Sequence, residues 1–109
     1  MIEIPESHVQ RAFDLLRSGD HATARAAYEF AEKQLKVTLA RAALQANGKT
    51  VGEREASALT SPEYERTLTA FKHIAEAYYL ARDKREAASA IIDAWRTQQS
   101  DLRASGRVA

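Results

Sequence analysis

Apolar positions recur every three or four residues through most of this chain, which is the period of an α-helix. The longest such stretch, residues 61–104, has one proline at its second position and no glycine. Ser61 is a residue type that caps helix N-termini, and Pro62 is favoured at the first helical position. We therefore predict a single helix over residues 62–104, about 60 Å long.

The apolar stripe of this long helix has the spacing of a coiled coil or helical bundle. Two runs alternate by four and three residues: Tyr64, Leu68, Phe71, Ala75 and Tyr78, followed by Tyr78, Ala81, Arg85, Ala88, Ile92, Trp95, Gln99 and Leu102. The alternation slips near Tyr78, so we expect the buried face to rotate there. Arg85 and Gln99 interrupt the second run, either because they fix register and oligomeric state or because they lie at the edge of a small bundle.

Two further helices are predicted before a glycine-containing connection. The first covers residues 5–18, and its apolar face is formed by Val9, Ala12, Phe13 and Leu16. Gly19 can adopt the left-handed conformation that ends a helix, and Asp20 can cap the next one. The second helix covers residues 21–46, with a stripe formed by Ala24, Tyr28, Ala31, Leu35, Thr38 and Ala42. Its spacing resembles that of the long helix, so we expect the two to form an antiparallel hairpin.

A short helix is predicted over residues 51–59, in the connection between the two long ones. Thr50 and Glu53 have the spacing of a capping box, in which each side chain bonds a free backbone N–H near the other residue. The chain is thus expected to be one all-α domain over residues 1–109, a helical hairpin or bundle with a long, coiled-coil-like C-terminal helix.

The long helix exceeds the second by about fifteen residues, so a hairpin cannot cover all of it. An uncovered Ile-Ile-Trp patch is a liability in water. Helix one can supply some cover, but the source we favour is a second copy of the chain. The expected homo-oligomer interface consists of Tyr78, Arg85, Ile91, Ile92 and Trp95.

Composition narrows the function classes. The 109 residues carry a net charge of +1 and include no cysteine, which excludes disulfides, iron–sulfur clusters and cysteine-based zinc sites. The first residues lack the apolar core of a signal peptide, and no apolar run has the length to span a bilayer. We therefore expect a cytoplasmic protein without membrane contact.

Residues with catalytic or metal-binding potential are dispersed. His8, His21 and His73 do not have ligand spacing, and no serine or threonine lies in a nucleophile motif. We find no pair of carboxylates that must converge for acid–base chemistry. The expectation is a protein that is not an enzyme and has no metal or cofactor.

Charge is distributed unevenly. Residues 33–54 include five cations and one acid, so this stretch has a net charge of +4. The cations are Lys33, Lys36, Arg41, Lys49 and Arg54. Such a region can contact nucleic-acid phosphates, especially if an oligomer repeats it around an axis. The alternative is a solvated helix face and loop without a ligand.

Two stretches in the long helix carry a family resemblance. Residues 84–88, KREAA, and residues 92–97, IDAWRT, resemble the C-terminal half of small helical bacteriophage proteins of replication and recombination. The layout is also similar to that of the UvsY-type recombination mediators of T-even phages, which have a basic helix, a glycine-containing basic loop and a C-terminal assembly helix. Residues 36–39 and Arg41 correspond to the basic helix, and Gly48, Lys49 and Arg54 to the loop.

The resemblance implies a ring-like oligomer that binds single-stranded DNA. Such a protein loads a strand-exchange recombinase while it displaces a single-strand-binding protein. The DNA would contact the five cations between residues 33 and 54. The alternative hypothesis is a non-enzymatic protein-interaction module, such as a phage inhibitor of a host protein or a structural adaptor.

Overall fold

The computed structural model describes residues 3–108. Over these residues the chain forms four α-helices and no strand: α1 (Glu6–Arg17), α2 (Asp20–Gln45), α3 (Val51–Leu59) and α4 (Pro62–Val108). The all-α fold predicted from the sequence is confirmed, and most helix ends lie within one residue of the predicted positions. The end of α4 differs, because the helix continues to Val108 instead of stopping at Ala104.

The helices are distributed over two compact units. The first unit combines Met1–Ala22 with Leu80–Ala109, so it contains α1 and the second half of α4. The second unit is Thr23–Tyr79 and contains most of α2, all of α3 and the first half of α4.

In the second unit, α2 and α4 pack as the predicted antiparallel hairpin. The ring of Tyr28, early in α2, stacks on Tyr78, late in this part of α4, with a centroid distance of 4.8 Å. At the other end, the Arg41 guanidinium lies 3.9 Å from the Glu63 carboxylate, which is at the start of α4. These contacts require the two helices to run in opposite directions.

The seam of α2 is the one that the periodicity predicts. All six predicted positions are buried or half-buried: Ala24, Tyr28, Ala31, Leu35, Thr38 and Ala42. Three of them are alanine and one is threonine, so the helix backbones can approach closely. This seam, which we call the inner seam, leaves the opposite side of α2 outside the hairpin.

The register of α4 differs from the prediction at its start. Leu68 is 45% exposed, whereas Thr67 is half-buried. Half-buried positions then repeat by three and four: Tyr64, Thr67, Phe71, Ile74, Tyr78 and Ala81. Ala75, which was predicted on this face, is also half-buried and lies beside Ile74. The expected slip near Tyr78 is therefore wrong, and one heptad register continues through this part of α4.

In the first unit, α1 covers the second half of α4. Ala12 packs with Ala88 and Ile92 in a small core, and Ile92 is only 3% exposed. Around this core lie Phe13, Leu15 and Ile91. The cover that we expected from a second copy is thus supplied to Ile92 by α1 of the same chain.

The packed face of α1 is rotated slightly from the prediction. Leu15 is half-buried, whereas Leu16, which the periodicity assigned to the apolar face, is classed as exposed. The Phe13 ring meets the Trp95 ring edge-on at 6.1 Å, and the Ile4 backbone N–H donates to the Gln98 side-chain oxygen at 3.3 Å. These contacts hold the start of the chain along the end of α4.

Side-chain caps define the helix starts. The Thr50 hydroxyl accepts from the Glu53 N–H at 3.1 Å, and the Glu53 carboxylate accepts from the Lys49 N–H at 2.8 Å. The Ser61 hydroxyl accepts from the Tyr64 N–H at 3.2 Å, which confirms the predicted cap of α4. At the start of α2 the prediction is wrong, because Asp20 is already helical and its N–H donates to the Ser18 hydroxyl.

Candidate protein-interaction surface

A second apolar seam runs along the side of α2 that faces away from α4. It consists of six positions spaced alternately by four and three residues: Ala26, Phe30, Lys33, Val37, Ala40 and Leu44. All six are exposed, with Phe30, Val37 and Leu44 at 64%, 54% and 87%. We call this set the outer seam.

The two seams of α2 lie on nearly opposite faces. Each outer position follows an inner one by two residues, as Phe30 follows Tyr28, and two residues correspond to a rotation of about 200°. A helix with one packed face and one solvated face has a single apolar stripe. Because α2 has two, its sequence has the pattern of a helix that packs between two neighbours.

Three of the predicted DNA-binding cations are associated with the outer seam. Lys33 is part of it, and Lys36 and Arg41 lie on its flanks. Within the described part of the chain, neither Lys33 nor Lys36 forms an ion pair with a carboxylate. Arg41 is tied to Glu63 by the long contact in the hairpin.

The acidic residue nearest the start of this surface, Glu29, forms an ion pair with a cation of the same helix. The Glu29 carboxylate accepts from the Arg25 side chain at 3.1 Å, one helical turn earlier. Net positive charge on the outer face of α2 is therefore concentrated from Lys33 onward.

The other two predicted cations lie beyond the end of α2. Lys49 is exposed in the connection before α3, and its backbone is held by Glu53. Arg54 is half-buried in α3, with the base of its side chain close to Gly48. A Cβ atom at Gly48 would lie 3.1 Å from the Arg54 Cγ, so the absence of a side chain permits this close packing.

The predicted oligomer-interface residues make contacts within their own units. Tyr78 stacks on Tyr28 in the hairpin, and Trp95 meets Phe13 in the first unit. Arg85 lies 3.5 Å from the His21 ring nitrogen. Ile91 is half-buried, whereas Ile92 is buried by α1 and cannot contact a second copy unless α1 moves away.

An aromatic cluster stabilises the hairpin next to the inner seam. The Tyr28 ring contacts Phe71 at 5.4 Å and Tyr79 at 6.0 Å, in addition to its stack on Tyr78. A hydrogen bond with the Tyr79 hydroxyl, assisted by partial desolvation and by the nearby Glu32 carboxylate, raises the pKa of Tyr28 to about 12. A phenol with a raised pKa is a poorer general base near neutral pH, which is consistent with a packing role.

A groove of about 930 Å³ lies between α1 and the end of α4 in the first unit. Val9, Phe13 and Trp95 are among its apolar lining residues, and the acidic residues Glu6 and Asp101 also line it. None of the cations predicted to bind DNA lines it.

Titratable side chains do not assemble into a metal centre in residues 3–108, where no three of His, Asp and Glu come together as ligands. Over the same residues, no helix combines the length and the apolar character needed to cross a bilayer.

Comparison with known proteins gives no relative. No family model, no curated protein and no solved structure matches the chain. The surfaces described above are therefore the basis for a functional proposal.

The outer seam is the feature that sequence reasoning missed. The signal was present, because Phe30, Val37 and Leu44 are separated by seven residues each, which is one heptad. The inner seam alone explains α2 as an amphipathic helix, so the helix period gives no role to the large apolar residues on its other face.

Proposed function

We propose that this chain is a non-enzymatic helical interaction module that binds another protein through the outer seam of α2. One observation carries the proposal: a full heptad seam, with three large apolar side chains, is exposed on a helix whose other face is already packed. Scattered apolar residues on a surface are ordinary, but apolar residues that recur with coiled-coil spacing along one helix face are typical of an interaction site.

The remainder of the second unit supports this role as a scaffold. The inner seam and the tyrosine cluster hold α2 against α4. Because α2 is already folded, it loses less conformational entropy on association than an isolated helix of this length would lose. We place this activity in the cytoplasm, as expected from the sequence.

The test is capture of a partner from a nuclease-treated lysate of the cells in which the chain is made. The chain, Val37→Asp and the control Leu102→Asp are compared as baits. Leu102 is a helical apolar residue that is about as exposed as Val37, but it lies in the first unit. We expect a stoichiometric protein that is retained by the unaltered chain and by Leu102→Asp and lost with Val37→Asp. Equal retention by all three baits would contradict the proposal.

A second candidate is the recombination-mediator function that the resemblance implies. We propose that the chain, as a homo-oligomer, binds single-stranded DNA through Lys33, Lys36, Arg41, Lys49 and Arg54 and delivers it from a single-strand-binding protein to a recombinase. The observation in its favour is the pair of exposed cations Lys33 and Lys36 on one helix face, which form no ion pair with the residues that the structure describes. Repetition of this face in an oligomer would compensate for the low net charge.

Fluorescence anisotropy with a labelled single-stranded oligonucleotide, measured over a salt series, tests this candidate. Binding should weaken steeply as salt rises, because each phosphate contact releases counterions. The double substitution Lys36→Glu with Arg41→Glu should abolish binding and leave the oligomer intact. The control, Arg66→Glu with Lys72→Glu, changes the charge equally on α4. No binding at low salt, or equal loss in both double variants, would remove the candidate.

A further inference from the structure

The outer seam also indicates what kind of protein it binds. We infer that its partner is an acidic amphipathic helix of a different protein, which packs along α2 from Ala26 to Leu44. This inference rests on the proposed function and adds the chemistry of the partner.

The apolar anchors specify a helix as the occupant. Phe30, Val37 and Leu44 are one heptad apart and span about 21 Å, which is about four turns. The alanines at 26 and 40 alternate with them, so large side chains of a facing helix have small residues to pack against. A β-strand or an extended peptide would match neither this spacing nor this alternation.

The charge of the seam specifies the sign of the partner. Lys33 occupies a core position of the heptad, between Phe30 and Val37, and Lys36 lies on the flank of the same turn. When a second helix covers this face, the Lys33 ammonium is partly removed from water and needs an opposite charge. A partner with glutamate or aspartate facing Lys33 and Lys36 supplies it.

The same residues argue against a second copy of the chain on this face. In an antiparallel pair of outer seams, each a position of one heptad faces a d position of the other copy. Val37 then packs against Lys33, and the two copies of Lys36 meet at the two-fold axis. In a parallel pair, Lys33 faces Lys33 and Lys36 lies beside Arg41. Both arrangements bring like charges together, which disfavours self-pairing.

A bound nucleic acid would use only part of this surface. Phosphates would engage Lys33 and Lys36 but leave the Val37 and Leu44 side chains in water. An acidic amphipathic helix uses the cations and the apolar anchors together, so the observations favour it.

The experiment uses two designed peptide probes of about four heptads, with leucine at the core positions and either glutamate or lysine at the flanking positions. Each is labelled, and its binding to the full chain is measured by fluorescence anisotropy. We expect the acidic peptide to bind at least about tenfold more tightly than the basic one. Lys33→Glu with Lys36→Glu should invert this preference, and Val37→Asp should abolish binding, whereas Leu102→Asp should leave it unchanged.

Several results would overturn the inference. One is that neither peptide binds, and another is that the acidic peptide binds equally well to the chain with Val37→Asp. If the free chain sediments as a dimer that Val37→Asp dissociates, the occupant is a second copy. If an oligonucleotide binds and Val37→Asp leaves its affinity unchanged while the acidic peptide fails to bind, the ligand is nucleic acid. Capture of a lysate protein that depends on Val37, without acidic-peptide binding, would retain the proposed function and remove only the acidic partner.

Discussion

Ile92 shows how one side chain connects the two ends of the sequence. It lies late in α4, yet its burial depends on Ala12 and its neighbours in α1. The periodicity placed Ile92 correctly on the packed face of the long helix. What it could not provide was the identity of the covering helix, because α1 and a second copy of the chain present similar apolar faces.

Truncation of Ile92 tests this account. Ile92→Ala should lower the free energy of unfolding by about 2–5 kcal/mol, because it removes buried methyl groups and leaves a cavity. Leu80→Ala, at an exposed position of the same helix and unit, should change it by less than about 0.5 kcal/mol. Urea unfolding followed by circular dichroism measures both. A destabilisation that varies with protein concentration would instead indicate cover from a second copy.

Tyr28 gives a residue-scale prediction about pH. Its folded-state pKa of about 12 lies above the ordinary value of 10.0, so the folded chain holds this proton more tightly than the unfolded chain. The resulting stabilisation is complete below about pH 10 and is lost as the pH rises towards 12. In a tyrosinate-absorbance titration, Tyr28→Phe should remove the last step, whereas Tyr64→Phe should leave that step in place. Persistence of the last step in Tyr28→Phe would show that another phenol is responsible.

At the scale of the helices, sequence patterns were most informative where one heptad register is followed throughout. The inner seam of α2 was predicted residue by residue, because its six positions follow one unbroken spacing of four and three residues. At the start of α4, Leu68 is more apolar than Thr67 but lies one position outside the seam. Packing along the whole helix determined the register, and the threonine is half-buried whereas the leucine is exposed.

The candidate site also contains residues that the sequence predicted and residues that it did not. Lys33, Lys36 and Arg41 could be found from charge alone, because residues 33–54 include five cations and only one acid. Their relation to Phe30, Val37 and Leu44 became visible only when the packed face of α2 was known. The sequence of α2 predicted the face that packs in the hairpin, but it did not show that a second stripe stays exposed on the other face.

The start of α3 provides a test at this scale. Thr50→Ala removes the acceptor for the Glu53 N–H and should lower stability by about 0.5–2 kcal/mol. The matched control is Thr69→Ala, whose hydroxyl bonds the Glu65 carbonyl inside α4; this change should be neutral or slightly stabilising, because alanine is the better helix former. Amide hydrogen exchange should accelerate at Glu53 in the first variant only. Unchanged exchange there would show that the cap contributes little.

At the scale of the whole molecule, the position of Lys33 leads us to a prediction about self-association. A lysine at a core position of a heptad reduces the stability of self-association, and in a parallel pair of outer seams Lys33 would face its own copy. If this repulsion keeps the outer seam open for an acidic partner, its removal should let copies of the chain pair with each other through α2.

Lys33→Leu is the variant that tests this. It creates an uninterrupted apolar seam from Ala26 to Leu44, so we expect sedimentation velocity over a concentration series to show stronger self-association than the unaltered chain shows. Arg66→Leu makes the same exchange of a cation for leucine on an exposed part of α4, where the neighbouring turns hold Glu63, Thr69 and Ala70. It should therefore sediment like the unaltered chain. Equal behaviour of Lys33→Leu and Arg66→Leu would mean that Lys33 does not control what the outer seam binds, and the charge argument for an acidic partner would lose its support.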